Sequence, residues 1–149
     1  MNYKYLLGVC IALSLLLTSY QAADSIQWTS FDKAMEQAQA EDKIVFVDVY
    51  TDWCYWCKVM DKNTFTDTEV IEYMNKYCVS VKLNAEAEET LNFRGEEYSN
   101  RAFVRSIGVR GYPSLLIISP DGKQLEVKAG AHSAEELLSL LQKYNKKYH

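Results

Sequence analysis

The stretch that most constrains this chain is Ile44-Val45-Phe46-Val47-Asp48-Val49-Tyr50, followed across Thr51-Asp52-Trp53 by Cys54-Tyr55-Trp56-Cys57-Lys58. A nearly unbroken series of β-branched and aromatic residues is the pattern of a strand buried on both faces of a sheet. The residues after the cysteines, through Val59 and Met60, predict a helix. Two cysteines separated by two residues at such a junction can close one small ring. The first, Cys54, falls at the exposed helix N-terminus, where backbone N–H groups and the helix dipole favour a thiolate. A thiolate is the species that attacks disulfides.

The remaining elements follow in order. Thr29 or Ser30 can cap a helix with Phe31, Ala34, Met35 and Ala38 on its apolar face, ending near Glu41-Asp42-Lys43. Thr66 or Asp67 caps a further helix over 68–77, with Val70, Ile71 and Met74 on one side. Residues 78–84 alternate as a strand. The acidic stretch 85–95 reads as an irregular loop, and residues 101–107 as a short helix. Strand 114–119, the turn Pro120-Asp121-Gly122 and strand 124–128 form a hairpin. Ser133 and Glu136 write a capping box for a last helix carrying Leu137, Leu138, Leu140 and Leu141. The order predicts an α/β layer fold, a central mixed β-sheet flanked by helices.

Residues 1–23 have the form of a secretory signal peptide: Lys4 precedes an apolar run from Tyr5 to Leu17, too short for a comfortable membrane span. Tyr20 and Gln21 make a poor cleavage site, so an N-terminal anchor is the alternative; Cys10 belongs to the apolar run. Residues 24–149 suit one domain. Lys4 is the one charge ahead of Asp24, so the mature chain is more acidic than the −4 of the whole sequence. That balance argues against a nucleic-acid partner. Export with only Cys54, Cys57 and Cys78 retained is too few for a disulfide scaffold, and the pair is expected to serve chemistry.

The alternatives for the pair are weaker. A stapled loop this short gains little from closure. A metal site needs two more ligands, with only His132 and His149 as histidines, so no metal is expected. Haem attachment needs a histidine where Lys58 stands. No cofactor is expected.

Several motifs fall in an order that resembles the thioredoxin superfamily over nearly all of the mature sequence. Asp48 sits where that family carries a buried carboxylate, and Trp53-Cys54-x-x-Cys57-Lys58 fits its active-site motif. Lys82-Leu83-Asn84 is similar to its second central strand. Gly108-Val109-x-Gly111-Tyr112-Pro113-Ser114 resembles the loop bearing its cis-proline, and Pro120-Asp121-Gly122-Lys123 its hairpin turn. With Trp56, Met60 and Thr64-Phe65, the chain is more similar still to exported members with a Trp-Cys-x-Trp-Cys-Lys-x-Met pattern, including the C-terminal domain of the bacterial transmembrane thiol reductase. The resemblance implies a thioredoxin-like domain over 24–149 and a periplasmic or secreted thiol–disulfide oxidoreductase. Three departures stand out: Tyr55-Trp56 replaces Gly-Pro, Tyr112 replaces Thr, and the stretch from Asn84 to Pro113 is longer. The first two bear on redox poise, the third on partner choice.

Expected roles follow. Cys54 is the nucleophile and Cys57 the resolving thiol of a redox-active disulfide. Asp48, desolvated in its strand, should hold a proton near neutrality and assist Cys57; an ion pair with Lys82 serving stability only is the other reading, and the two are compatible. Pro113 is expected to follow a cis bond, with the Tyr112 backbone pairing with extended substrate, against an ordinary trans proline. Trp53, Tyr55, Trp56 and Tyr112 would form an aromatic collar that binds protein substrates, although Trp53 could simply pack the helix. Lys58 reads as a solvated helix residue and Cys78 as a small buried hydrophobe. The expected reaction is reduction of protein disulfides by a monomer fed by a membrane-embedded electron donor. Oxidase or isomerase activity is the alternative, and a non-catalytic client-binding module is an alternative of another class.

Overall fold

The computed structural model describes residues 23–149; the expected signal segment lies outside the described residues apart from Ala23. The chain runs β1 (Trp28–Thr29), α1 (Phe31–Glu41), β2 (Ile44–Tyr50), α2 (Tyr55–Asn63), α3 (Thr68–Tyr77), β3 (Cys78–Asn84), β4 (Thr90–Phe93), β5 (Glu96–Ser99), α4 (Asn100–Ser106), β6 (Ser114–Ile118), β7 (Leu125–Ala129) and α5 (Ala134–Tyr148). The main sheet has the order β1-β3-β2-β6-β7, with β1, β3 and β2 parallel and β6 and β7 antiparallel to their neighbours. The expected mixed sheet between helices is therefore what forms.

Strand β2 lies in the middle and its alternation divides the core. Val45, Val47 and Val49 face a cluster with Phe31, Ala34 and Ala38 of α1 and Phe103 of α4. Ile44 and Phe46 face the other, with Met60 of α2, Val70 and Met74 of α3, and Leu137 and Leu141 of α5. By the period of two, Asp48 points to this second side, beneath α2.

Capping follows the sequence with one exception. Asp67 accepts from the N–H groups of Glu69 and Val70 at 3.0 and 3.1 Å, and Ser133 with Glu136 forms the capping box of α5. Ser30 occupies the N-cap of α1, but its side chain makes no capping hydrogen bond.

Two findings correct the sequence reading. Residues 85–95 are not a plain loop: β4 and β5 pair as an antiparallel hairpin. Arg94 and Gly95, at φ 55° and 83°, supply the two left-handed residues of a tight hairpin turn. Leu91 and Phe93 alternate inward while the acidic residues stay outside. The high charge concealed a strand with two core anchors. Trp28–Thr29 also forms a short edge strand on β3, too brief to show a period.

Candidate redox site at the N-terminus of helix α2

β2 ends at Tyr50, and Thr51-Asp52-Trp53 turns the chain onto α2, whose N-cap is Cys54. The Cys54 N–H donates to the Thr51 carbonyl at 3.1 Å, and Cys54 Sγ accepts from the Cys57 N–H at 3.1 Å. Cys54 and Cys57 are joined by a disulfide with Cα atoms 5.4 Å apart. The N–H that caps the sulfur is one of the orphan donors of the first helical turn, the group that would steady a Cys54 thiolate after reduction. The helix end is where the sequence put it, but Cys54 is not exposed. Only 3% of the residue is accessible, because its sulfur turns inward to Cys57, itself 2% exposed.

The aromatic residues around the pair are the exposed ones: Trp53 at 66%, Tyr55 at 70% and Trp56 at 58%. Trp53 is thus no core filler. Its ring meets Tyr112 edge-on at 5.9 Å, and Tyr55 meets Trp56 at 5.4 Å. The Tyr112–Pro113 bond is cis. Trp53 therefore ties the loop bearing Pro113 to the loop bearing Cys54.

Asp48 lies one strand position from the core contacts of β2 and is 1% exposed. Its register partner on β3 is Lys82, whose Nζ stands 3.4 Å from Oδ2. That is an ion-pair distance, yet neither carboxylate oxygen accepts a hydrogen bond from the described residues. Burial pushes the Asp48 pKa up to about 6; Lys82 opposes the rise and the negative charge of Asp61 adds to it. Lys82 also pairs with Asp61 on α2, and its ammonium lies over the rings of Tyr50, Phe65 and Trp28 at 4.8, 5.6 and 5.6 Å. The ion pair and the raised proton affinity, compatible as read from the sequence, are both present.

Sequence reasoning missed the residues that brace this loop. Asn84, at the end of β3, donates to Asp52 at 3.2 Å and accepts from the Glu86 N–H at 2.9 Å. Glu86 in turn accepts from the Trp53 indole N–H at 3.0 Å. Only strand register, which sets Tyr50 beside Asn84, could have pointed to them. Thr64 donates to the His132 carbonyl at 2.7 Å and Phe65 packs edge-on against Trp28 and Phe46, which gives the Thr-Phe pair its structural meaning. Cys78 is a free, buried thiol whose pKa burial drives upward, so it stays protonated.

A family model described as a thioredoxin-like domain matches residues 31–145. The chain belongs to the thioredoxin-like domain family. It is 30% identical over 117 residues to the thiol:disulfide interchange protein DsbD of Tatumella citrea, covering 77% of this chain and 19% of that protein. It is 28% identical over 107 residues to the disulfide bond reductase DsbH of Chlamydia pneumoniae, covering 70% of this chain and 63% of that one. The thioredoxin-like chain thus spans about a fifth of the DsbD length. Among solved structures, a Bacteroides thetaiotaomicron protein named for a proposed disulphide-isomerase activity shares 34% identity at a TM-score of 0.64, over 87% of this chain and 99% of that one. No helix among the described residues is long and apolar enough to cross a membrane.

Proposed function

We propose that the protein is an exported thiol–disulfide oxidoreductase that reduces protein disulfides. The observation that carries the reading is the Cys54–Cys57 disulfide at the head of α2, with the buried carboxylate of Asp48, which accepts no hydrogen bond from the described residues, on the face beneath. The names of the DsbD and DsbH relatives support the reaction class, and DsbH supports the reducing direction. The signal-like residues 1–23 support export.

In the reduced protein the Cys54 thiolate attacks one sulfur of a substrate disulfide. A Cys54–substrate bond forms and the other substrate sulfur leaves as a thiolate, which takes a proton. Cys57 then gives up its proton, with the Asp48 carboxylate as the acceptor within the fold. The Cys57 thiolate attacks Cys54 Sγ, and the second substrate sulfur leaves and is protonated. Two electrons and two protons pass to the substrate, and the Cys54–Cys57 disulfide is restored. A membrane-embedded dithiol donor recharges the pair, because an oxidising compartment does not. Trp53, Tyr55, Trp56, Tyr112 and the backbone before Pro113 receive the substrate chain.

The test is the reduction potential of the Cys54–Cys57 pair together with turnover of a protein disulfide. A value near thioredoxin's, about −270 mV, with turnover abolished by Cys54→Ser, is the expected result. A value near about −120 mV would replace the reductase by an oxidant. Client binding that survives loss of both cysteines would replace it by a binding module.

A further inference from the structure

We propose that the rim of the redox site carries a guanidinium pocket that docks an acidic stretch of the protein whose disulfide is exchanged; the inference rests on the redox reading above. The chain has arginine at 94, 101, 105 and 110 only. Three of these, Arg101, Arg105 and Arg110, line one cavity of about 210 Å³. Arg101 and Arg105 stand one turn apart on α4 and so share a face. Arg110 arrives from the segment after Gly108, whose φ of 84° turns the chain back toward the helix. Buried Val104 and Val109 lie between them as the floor.

All three guanidinium groups are exposed, and none has an ion pair or hydrogen bond to the described residues. Arg94 differs, since it donates to the carbonyls of Gly122 and Lys123. Stability does not explain the cluster, because like charges a turn apart on a helix repel. Nor does composition, because acids outnumber bases, 20 to 16. The one carboxylate lining the cavity, Glu86, is held by the Trp53 indole. Tyr112 forms another wall, and its ring contacts Trp53. Two residues that line the pocket, Glu86 and Tyr112, therefore touch Trp53 of the redox loop.

Guanidinium forks bind carboxylates bidentately and shed their water readily. A polypeptide lying over the exposed Trp53, with its cysteine at Cys54, would bring neighbouring side chains to the arginines. Glutamate or aspartate flanking the partner's cysteine fits there, and charge complementarity of this kind acts mainly on the encounter rate.

The test compares two disulfide peptides that differ only in Glu or Gln beside the cysteine, reacted with the reduced full-length protein and followed by tryptophan fluorescence. The Glu peptide should react about three- to tenfold faster at low salt. The advantage should shrink toward one at about 0.5 M salt and in Arg101→Ala/Arg105→Ala, and persist in the charge-matched Lys33→Ala/Lys146→Ala. Equal rates in the unaltered protein, or a preference that survives loss of Arg101 and Arg105, would overturn the proposal. So would an arginine-dependent preference for glutathione disulfide without one for the Glu peptide. A protein that leaves both peptides unreacted overturns the redox reading, and this docking role with it.

Discussion

A carboxylate that is 1% exposed and accepts no hydrogen bond from the described residues has lost the hydration that stabilises its anion, and at Asp48 the nearby Lys82 restores only part of it. The sign of the pH effect follows. Between the ordinary 3.8 and the folded value of about 6, the folded chain holds a proton that the unfolded chain has lost. Stability from this group is therefore highest below pH 4 and falls as pH rises through 6. At roughly 1.4 kcal/mol per pH unit, the ionised group costs about 3 kcal/mol at pH 7. Asp48→Asn should recover much of that at pH 7, and urea denaturation at pH 4 and pH 7.5 would show a difference in the unaltered protein that flattens in the variant. In the proposed mechanism the same change also removes the proton acceptor for Cys57. Release of a trapped mixed disulfide should slow roughly a hundredfold while the first attack by Cys54 is spared, measured by rapid quench across pH 5–8.

At the scale of elements, the β4–β5 hairpin is the addition that shapes this chain. Phe93 meets Phe31 of α1 and Phe103 of α4 edge-on at 6.0 and 5.4 Å, and Asp32 accepts from both the backbone and side-chain N–H of Asn92 at 2.8 Å. Asn100, at the start of α4, donates to the Asn84 carbonyl at 3.0 Å. The hairpin thus fixes the helix that presents Arg101 and Arg105. Phe93→Ala should destabilise the protein by about 3–5 kcal/mol in equilibrium unfolding. At the other end of the chain, Ser133→Ala removes the reciprocal cap of α5 and should cost about 1 kcal/mol by the same measurement.

For the molecule as a whole, the most protected strands lie in the middle of the sheet and the candidate site lies at its rim. β2, β3 and β6 are buried between two apolar clusters, whereas Glu86, Glu88, Glu89 and Arg110, in the segments at their rim, are exposed. Hydrogen exchange should show the amides of Val45–Val49 and Leu115–Ile117 opening only with global unfolding, and those of Glu86–Glu88 opening far sooner. Uniform protection along the chain would contradict this division.

Much of the fold and of the chemistry was legible because it is written locally. A continuous β-branched run with one aspartate, a Cys-x-x-Cys at its end and a capping box before Leu137 each act within a turn or a strand, so they appear in sequence order. The hairpin was hidden because its two inward residues, Leu91 and Phe93, sit among glutamates whose charge outweighs them in any window. The burial of Cys54, the proton affinity of Asp48 and the braces at Asn84 and Glu86 belong to pairings between distant segments. The sequence by itself determined which groups can carry redox chemistry and the strand–helix junction that holds them. Tertiary structure alone decided how hard Asp48 holds its proton and that Arg101, Arg105 and Arg110 line one cavity beside Tyr112. Desolvation and charge proximity depend on what packs alongside, and register across the sheet sets that.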